Sequence, residues 1–187
     1  MKILALLATM AAFGAAHAAD VRPLLKTGFD LGGEALVNVV FTNGDTQKVR
    51  GNEGFYFGGG AAIISDAKDW EYDVTLAYKF AVINGSNGDV DWTRIPFEAL
   101  AFYRLQHVRF GGGLTYHLSP RLKGSGVVGG LDVKFKNALG VILQADWRIT
   151  QNIALGGRFT FLEYDAKAPA SGSAEANGFG VTFGMNF

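Results

Sequence analysis

The sequence predicts an all-β fold: an eight-stranded antiparallel transmembrane β-barrel in up-and-down meander order. Three observations predict it. Beyond residue 18, nearly every stretch alternates apolar and polar residues with period two. The alternating runs are roughly 11 to 15 residues long, against about 5 to 6 for strands of water-soluble domains and about 9 to 11 for strands tilted across a bilayer. The connections between runs alternate long and short, as in membrane barrels, whose loops are long on one side and short on the other.

The composition agrees. The 187 residues include 26 Gly, 15 Phe and 6 Tyr, no Cys, and only 18% charged residues. Without cysteine there is neither a disulfide framework nor a thiolate metal site. The sequence divides into a signal peptide, 1–18, and a barrel domain, 19–187. Met1-Lys2 gives a positive start, Ile3 to Gly14 is apolar, and Ala16-His17-Ala18 has the small-x-small form cleaved after Ala18. That apolar stretch is shorter than the roughly 20 residues of a spanning helix. Without Lys2 the domain has 16 basic and 17 acidic residues, and no run of Lys or Arg, so nothing indicates a nucleic acid partner.

The first run, Gly28 to Phe41, sets Phe29, Leu31, Ala35, Val37, Val39 and Phe41 against Asp30, Gly32, Glu34 and Asn38. The second, about Glu53 to Ile64, sets Phe55 and Phe57 against Tyr56, Gly58 and Gly60. In the third, Trp70, Tyr72, Val74, Leu76, Tyr78 and Phe80 alternate with Glu71, Asp73, Thr75, Ala77 and Lys79. The fourth, Thr93 to Leu105, contains Pro96, which belongs near a strand end or bulge. The fifth spans Val108 to Leu118, the sixth about Val133 to Trp147, and the seventh Ile153 to Tyr164. The eighth, Asn177 to Phe187, sets Phe179, Val181, Phe183, Met185 and Phe187 against Gly178, Gly180, Thr182, Gly184 and Asn186. The long connections are Thr42–Asn52, Asn84–Trp92, Ser119–Asp132 and Asp165–Ala176. The short ones are Ser65–Asp69, Gln106-His107 and Thr150–Asn152.

Alternation alone does not say which face is inside. The polar face is mostly small, glycine with Ala and Thr, which suits a narrow closed interior and not a soluble surface rich in Lys and Glu. Aromatic residues gather at the run ends: Trp70, Tyr72, Tyr103, Trp147 and Phe187 at one, Phe41, Phe55, Tyr78, Phe80 and Phe161 at the other. Such girdles sit at the two membrane interfaces. The polar face is therefore expected inside. It carries Glu34, Glu71, Asp73, Glu98 and Asp146 with Lys79, Arg94, Arg104, Arg109, Lys136 and Arg158. These should form a salt-bridge network that fills the lumen, because an unpaired buried charge is costly. The alternative is a polar path for small solutes.

On these runs, and on the ending Phe179-Gly-Val-Thr-Phe183-Gly-Met185-Asn-Phe187, the chain resembles the outer-membrane β-barrel family, the small OmpA/OmpX/OmpW-type eight-stranded barrels. The resemblance implies an integral, non-catalytic protein of the Gram-negative outer membrane, with both termini periplasmic and the long loops outside. It implies that Phe183, Met185 and Phe187 are read by the barrel-assembly machinery. It also implies outer-membrane lipid and lipopolysaccharide as surroundings, no cofactor, and loops that carry recognition of a partner left open. Its OmpW branch allows a narrow channel for small or apolar solutes. His117-Leu118-Ser119 is similar to the His-x-Ser of outer-membrane lipid A deacylases. There His117 would be the base for a Ser119 nucleophile, with Asp132 or Glu163 orienting it. Pro120 departs from that pattern, and alternation turns His117 inward. The competing reading is a strand-end histidine bonded inside the barrel and a serine opening a turn. A periplasmic soluble barrel is the remaining alternative.

Overall fold

The computed structural model describes residues 20–40, 46–85 and 88–187. The cleavage residues Ala16 and Ala18, the rest of the signal segment and the girdle residue Phe41 lie outside the described residues.

The strands in chain order are β1 (Asp20–Gly32), β2 (Ala35–Val40), β3 (Thr46–Arg50), β4 (Gly54–Ile64), β5 (Trp70–Gly85), β6 (Gly88–Arg104) and β7 (Val108–Gly124). They continue with β8 (Asp132–Lys134), β9 (Ala138–Arg148), β10 (Ile153–Phe161), β11 (Glu163–Asp165), β12 (Ser173–Glu175) and β13 (Gly178–Asn186). Eight of them (β1, β4, β5, β6, β7, β9, β10 and β13) pair antiparallel with their chain neighbours. The wall closes where β1 meets β13, in register from Leu24↔Asn186 to Gly32↔Gly178. Closure leaves no open edge in the wall, which is what lets a sheet cross a hydrocarbon layer.

The period-two pattern decides the two faces. Leu139 is 65% exposed, Trp147 59% and Phe179 58%, whereas Asp30, Asp73, Lys79 and Arg94 are 1% or less. This distribution is the inverse of a soluble domain. The girdles form as read. At the end bearing the short turns, Trp70 stacks on Tyr72 and meets the Tyr103 ring edge-on at 5.6 Å. At the end bearing the long loops, Phe80 contacts Phe55 at 5.9 Å and Tyr78 at 5.8 Å.

The structure changes the first run most. It begins earlier, at Asp20 in the described residues, and it stops at Gly32. Gly32 (φ 106°) and Gly33 (φ 86°) take left-handed backbone there, which residues with a Cβ resist. The chain then turns into the separate hairpin of β2 and β3. Glu34 is left exposed, its carboxylate accepting the Glu175 N–H. The other long connections are shorter than expected because β5, β6 and β7 continue beyond the barrel: Gly85 pairs with Gly88, and Val90 with Gly124. The sixth run splits into β8 and β9. Lys136 falls between them and is exposed, 3.5 Å from Asp165. Glu34 and Lys136 are therefore not part of the lumen.

The extended strands and hairpins carry a second core, above the wall. Trp92, Tyr164, Phe135, Val49, Leu122, Val90, Ile83, Leu162 and Ala176 are buried together. The Trp92 ring meets Phe135 and Tyr164 edge-on at 5.3 and 5.2 Å, and its N–H donates to the Gly51 carbonyl at 3.0 Å. The residues Gly51 to Glu53 thus form a strap over the loop end of the lumen. Truncating Trp92 to Ala should cost about 3–5 kcal/mol at this core. We expect proteases to cut the loops faster in that variant, while the wall still shows the slow heat-dependent gel migration of a closed barrel.

Candidate functional site

The lumen is filled by ten buried charged side chains: Lys26, Lys79, Arg94, Arg109 and Arg158 with Asp30, Glu71, Asp73, Glu98 and Asp146. The signs balance. Near the loop end the hub is Asp30, on β1. Its carboxylate accepts from Lys79 Nζ at 2.5 Å, and from Arg158 Nε and Nη2 at 2.8 and 2.5 Å. Arg158 reaches on to Glu98 at 2.8 Å, and Glu98 also accepts from Lys26 Nζ at 2.7 Å. The Arg158 guanidinium lies 4.1 Å from the Tyr56 ring centroid. Lys79 also donates to the Asn52 side chain at 3.0 Å, so the strap is held by the network below it. Arg94 donates to the carbonyls of Asn52 and Glu53 at 2.9 and 2.5 Å.

Near the turn end the hub is Arg109, on β7. It donates to Glu71 at 2.6 Å, Asp73 at 3.0 Å and Asp146 at 2.8 Å. Arg104 makes a second charge contact with Glu71, at 3.1 Å. Gln144 donates to both oxygens of Asp146 at 2.9 Å. Leu100, Phe102 and Ile142 pack inside the wall beside this cluster, with Arg109 4.2 Å from the Phe102 centroid.

Of the eleven residues expected in the network, Glu71, Asp73, Lys79, Arg94, Glu98, Arg104, Arg109, Asp146 and Arg158 are brought into the lumen. Two members were missed. Asp30 lies on the inward face of the first run, yet its central place depends on Lys79 and Arg158, which are distant in sequence. Lys26 precedes that run, where Pro23 and the Leu24-Leu25 pair blur the alternation. Glycine on the inner face makes room for the network: a Cβ at Gly180 would collide with the Asp30 carboxylate, and one at Gly156 with that of Asp146.

Among the described residues, buried side chains occupy this interior from the Arg109 cluster to the Asp30 cluster. The strap and the second core cover the loop end. A cavity at the turn end, lined in part by Glu71, Arg109 and Asn152, measures about 10 Å³, the size of one water.

The His117–Ser119 pair does not assemble a dyad. One extra residue bulges from β7 between the pairs Ile95↔Leu118 and Thr93↔Arg121, and Ser119 takes φ 49° there. The bulge switches faces. His117 is buried with its Nδ1 on the Tyr164 hydroxyl, while Ser119 is exposed, its N–H donating to Asn137. Asp132 pairs with Arg121, and Glu163 is exposed. His107, the other histidine of the described residues, stacks on Trp147 at the turn end.

A closed eight-stranded wall, apolar outside and charge-filled inside, defines a transmembrane β-barrel. Among the solved structures it resembles are small outer-membrane barrels of eight strands. They include Ail, the attachment invasion locus protein of Yersinia pestis, in complex with the heparin analogue sucrose octasulfate. Its TM-score is 0.56 at 13% identity, over 90% of this chain and 97% of that one. Neisserial surface protein A (NspA) matches with a TM-score of 0.52 at 14% identity, over 91% of this chain and all of that one. At these identities the likeness is one of fold. No protein-family model matches the sequence, and no curated protein does.

Neutralising the hub as Asp30→Asn leaves Lys79 and Arg158 buried without their main counter-charge. Breaking a buried pair in this way costs about 3–5 kcal/mol. A lower urea midpoint for the barrel in lipid vesicles checks this, and removing the exposed Glu34 carboxylate should leave the midpoint in place.

Proposed function

We propose that the chain is a non-catalytic integral barrel of the Gram-negative outer membrane whose loop end faces outside and carries surface interactions. The observation that supports this best is the inverted wall: aromatic and aliphatic side chains face outward around the whole barrel, and the charged side chains are buried within. Such a wall is stable in hydrocarbon and not in water. The orientation follows from the short turns Ser65–Asp69, Leu105–His107 and Ile149–Asn152 on one side and the extended strands on the other. Residues 1–18 would direct export. Phe183 and Met185 lie on the outward face of β13 and Phe187, exposed, directly after its end, where the assembly machinery would read them.

The loop end suits recognition more than transport. Its hairpins are held on a buried core, so they present a fixed surface, and a preformed surface loses little entropy on binding. That Ail holds a heparin analogue and that NspA is a surface protein agree with a surface role for this fold. The filled lumen argues against a channel.

Four measurements test the proposal. The protein should partition with the outer membrane, shift its gel mobility on heating, and give no resolvable events in planar bilayers. Recovery in the soluble fraction would refute the membrane assignment, and regular conductance steps would refute the sealed lumen. Purified protein should not hydrolyse ester probes above the rate of the His117→Ala and Ser119→Ala variants. Turnover lost in both would restore a hydrolase.

A further inference from the structure

Cations line up across the outer face of the extended sheet. In β8 and the two residues after it, Val133 and Phe135 pack on the second core, which turns Asp132, Lys134 and Lys136 outward. Lys134 lies opposite Arg121 of β7. On its other side Phe135 bridges to Ala166, and the Lys167 N–H donates to the Lys134 carbonyl at 2.8 Å, so Lys167 lies opposite Lys134. Arg121, Lys134 and Lys167 therefore form one row over three adjacent segments. Like charges placed directly opposite destabilise a sheet. Arg121 is partly offset by Asp132, which it holds with bonds of 2.8 and 2.6 Å. Among the described residues, neither Lys134 nor Lys167 has an ion-pair partner, although both are exposed.

The row runs on into the apolar wall. Arg121 pairs with Thr93, and Thr93 with Phe80 of the loop-end girdle. Tyr78, Phe80, Val82, Asp91, Thr93, Arg121 and Lys123 line a concavity of about 360 Å³ on the outside of the barrel, and Asp91 there lies between Val82 and Lys123, which offsets that lysine and leaves Arg121 to the row. Phe80 is the eleventh residue of β5, counted from Trp70 at the turn end. A tilted strand of that length has crossed the hydrocarbon. The concavity thus sits where headgroups meet acyl chains.

We propose that this groove binds one phosphorylated, acylated lipid of the outer leaflet. Its phosphate lies on Arg121, Lys134 and Lys167, and an acyl chain lies along Tyr78, Phe80 and Val82. A soluble polyanion would use the cations but gain nothing from the aromatic wall, which is why the lipid is the occupant. The inference rests on the membrane reading above and deepens it.

The test uses the full chain in nanodiscs of neutral phosphatidylcholine, titrated with lipid A and with lipid A stripped of its phosphates, and read by native mass spectrometry. Wild type should retain lipid A far better than the dephosphorylated lipid. The variant R121Q/K134Q/K167Q should lose on the order of a hundredfold in lipid A affinity, at about fivefold per cation near a charged surface. Dephosphorylated lipid should bind wild type and variant alike. Asp132→Asn releases Arg121 and should strengthen retention, an effect in the opposite direction that a merely structural row would not give. Phe80→Ala should weaken lipid A but leave sucrose octasulfate binding unchanged. Equal retention of the two lipids by wild type, or of lipid A by wild type and the triple variant, overturns the proposal. So does a loss of sucrose octasulfate binding without loss of lipid A. Heat-shifted gel mobility in every sample shows that the barrel is inserted, so failure of lipid binding is distinguishable from failure of the membrane assignment.

Discussion

A barrel closed by eight strands encloses a space that side chains fill, and any charge put there gives up its hydration. The interior of this protein is organised by that constraint. Six cations, counting Arg104, and five carboxylates occupy the lumen, and two hubs distribute most of them: Asp30 takes Lys79 and Arg158, and Arg109 takes Glu71, Asp73 and Asp146. Each hub joins strands far apart in sequence. Arg158 to Asp30 spans 128 positions. The network therefore cross-braces the wall from within, in addition to the hydrogen bonds around its circumference. Glycine opposite the hubs is the steric counterpart of the charges, since Gly180 and Gly156 leave the space that Asp30 and Asp146 occupy.

A second consequence concerns the loop end. The lumen network reaches upward through Lys79 and Arg94 to Asn52 and Glu53, and Trp92 holds Gly51 from beside them. Above this strap the extended strands reverse the polarity of the wall below: their apolar side chains point inward to a common core and their charged ones point out. The change is physical necessity. Beyond the hydrocarbon the outer face meets water and headgroups, so burial inside becomes favourable again. The bulge at Ser119 is one place where the chain makes that change, moving from inward His117 to inward Leu122 by one added residue.

Much of this was legible in the sequence. The third run, from Trp70 to Phe80, shows strict alternation with aromatic ends, and the structure keeps it as one strand with Glu71, Asp73 and Lys79 inside. Nine of the eleven charges assigned to the lumen are there. The two exceptions, Glu34 and Lys136, share a cause. Each continues the alternation of a run beyond the point where the strand leaves the wall, and parity does not register a turn such as that at Gly32-Gly33. Asp30 was on the correct face but its role was not visible, because a hub is defined by its partners and not by its own position. The His117–Ser119 spacing suggested chemistry, and the bulge between them set the two side chains on opposite faces.

By itself, the sequence determined the sheet, the inward face, the sidedness of loops and turns, and the near balance of charge in the lumen. These depend on local periodicity and composition, which neighbouring residues share. Only the tertiary structure decided which carboxylate meets which cation, that the loops fold onto a core of their own, and that Arg121, Lys134 and Lys167 stand in one row. Those outcomes depend on the register between strands distant in the chain and on the few residues where a strand bends or bulges. Register and bends are set when the barrel closes and every inward charge must find a partner at once.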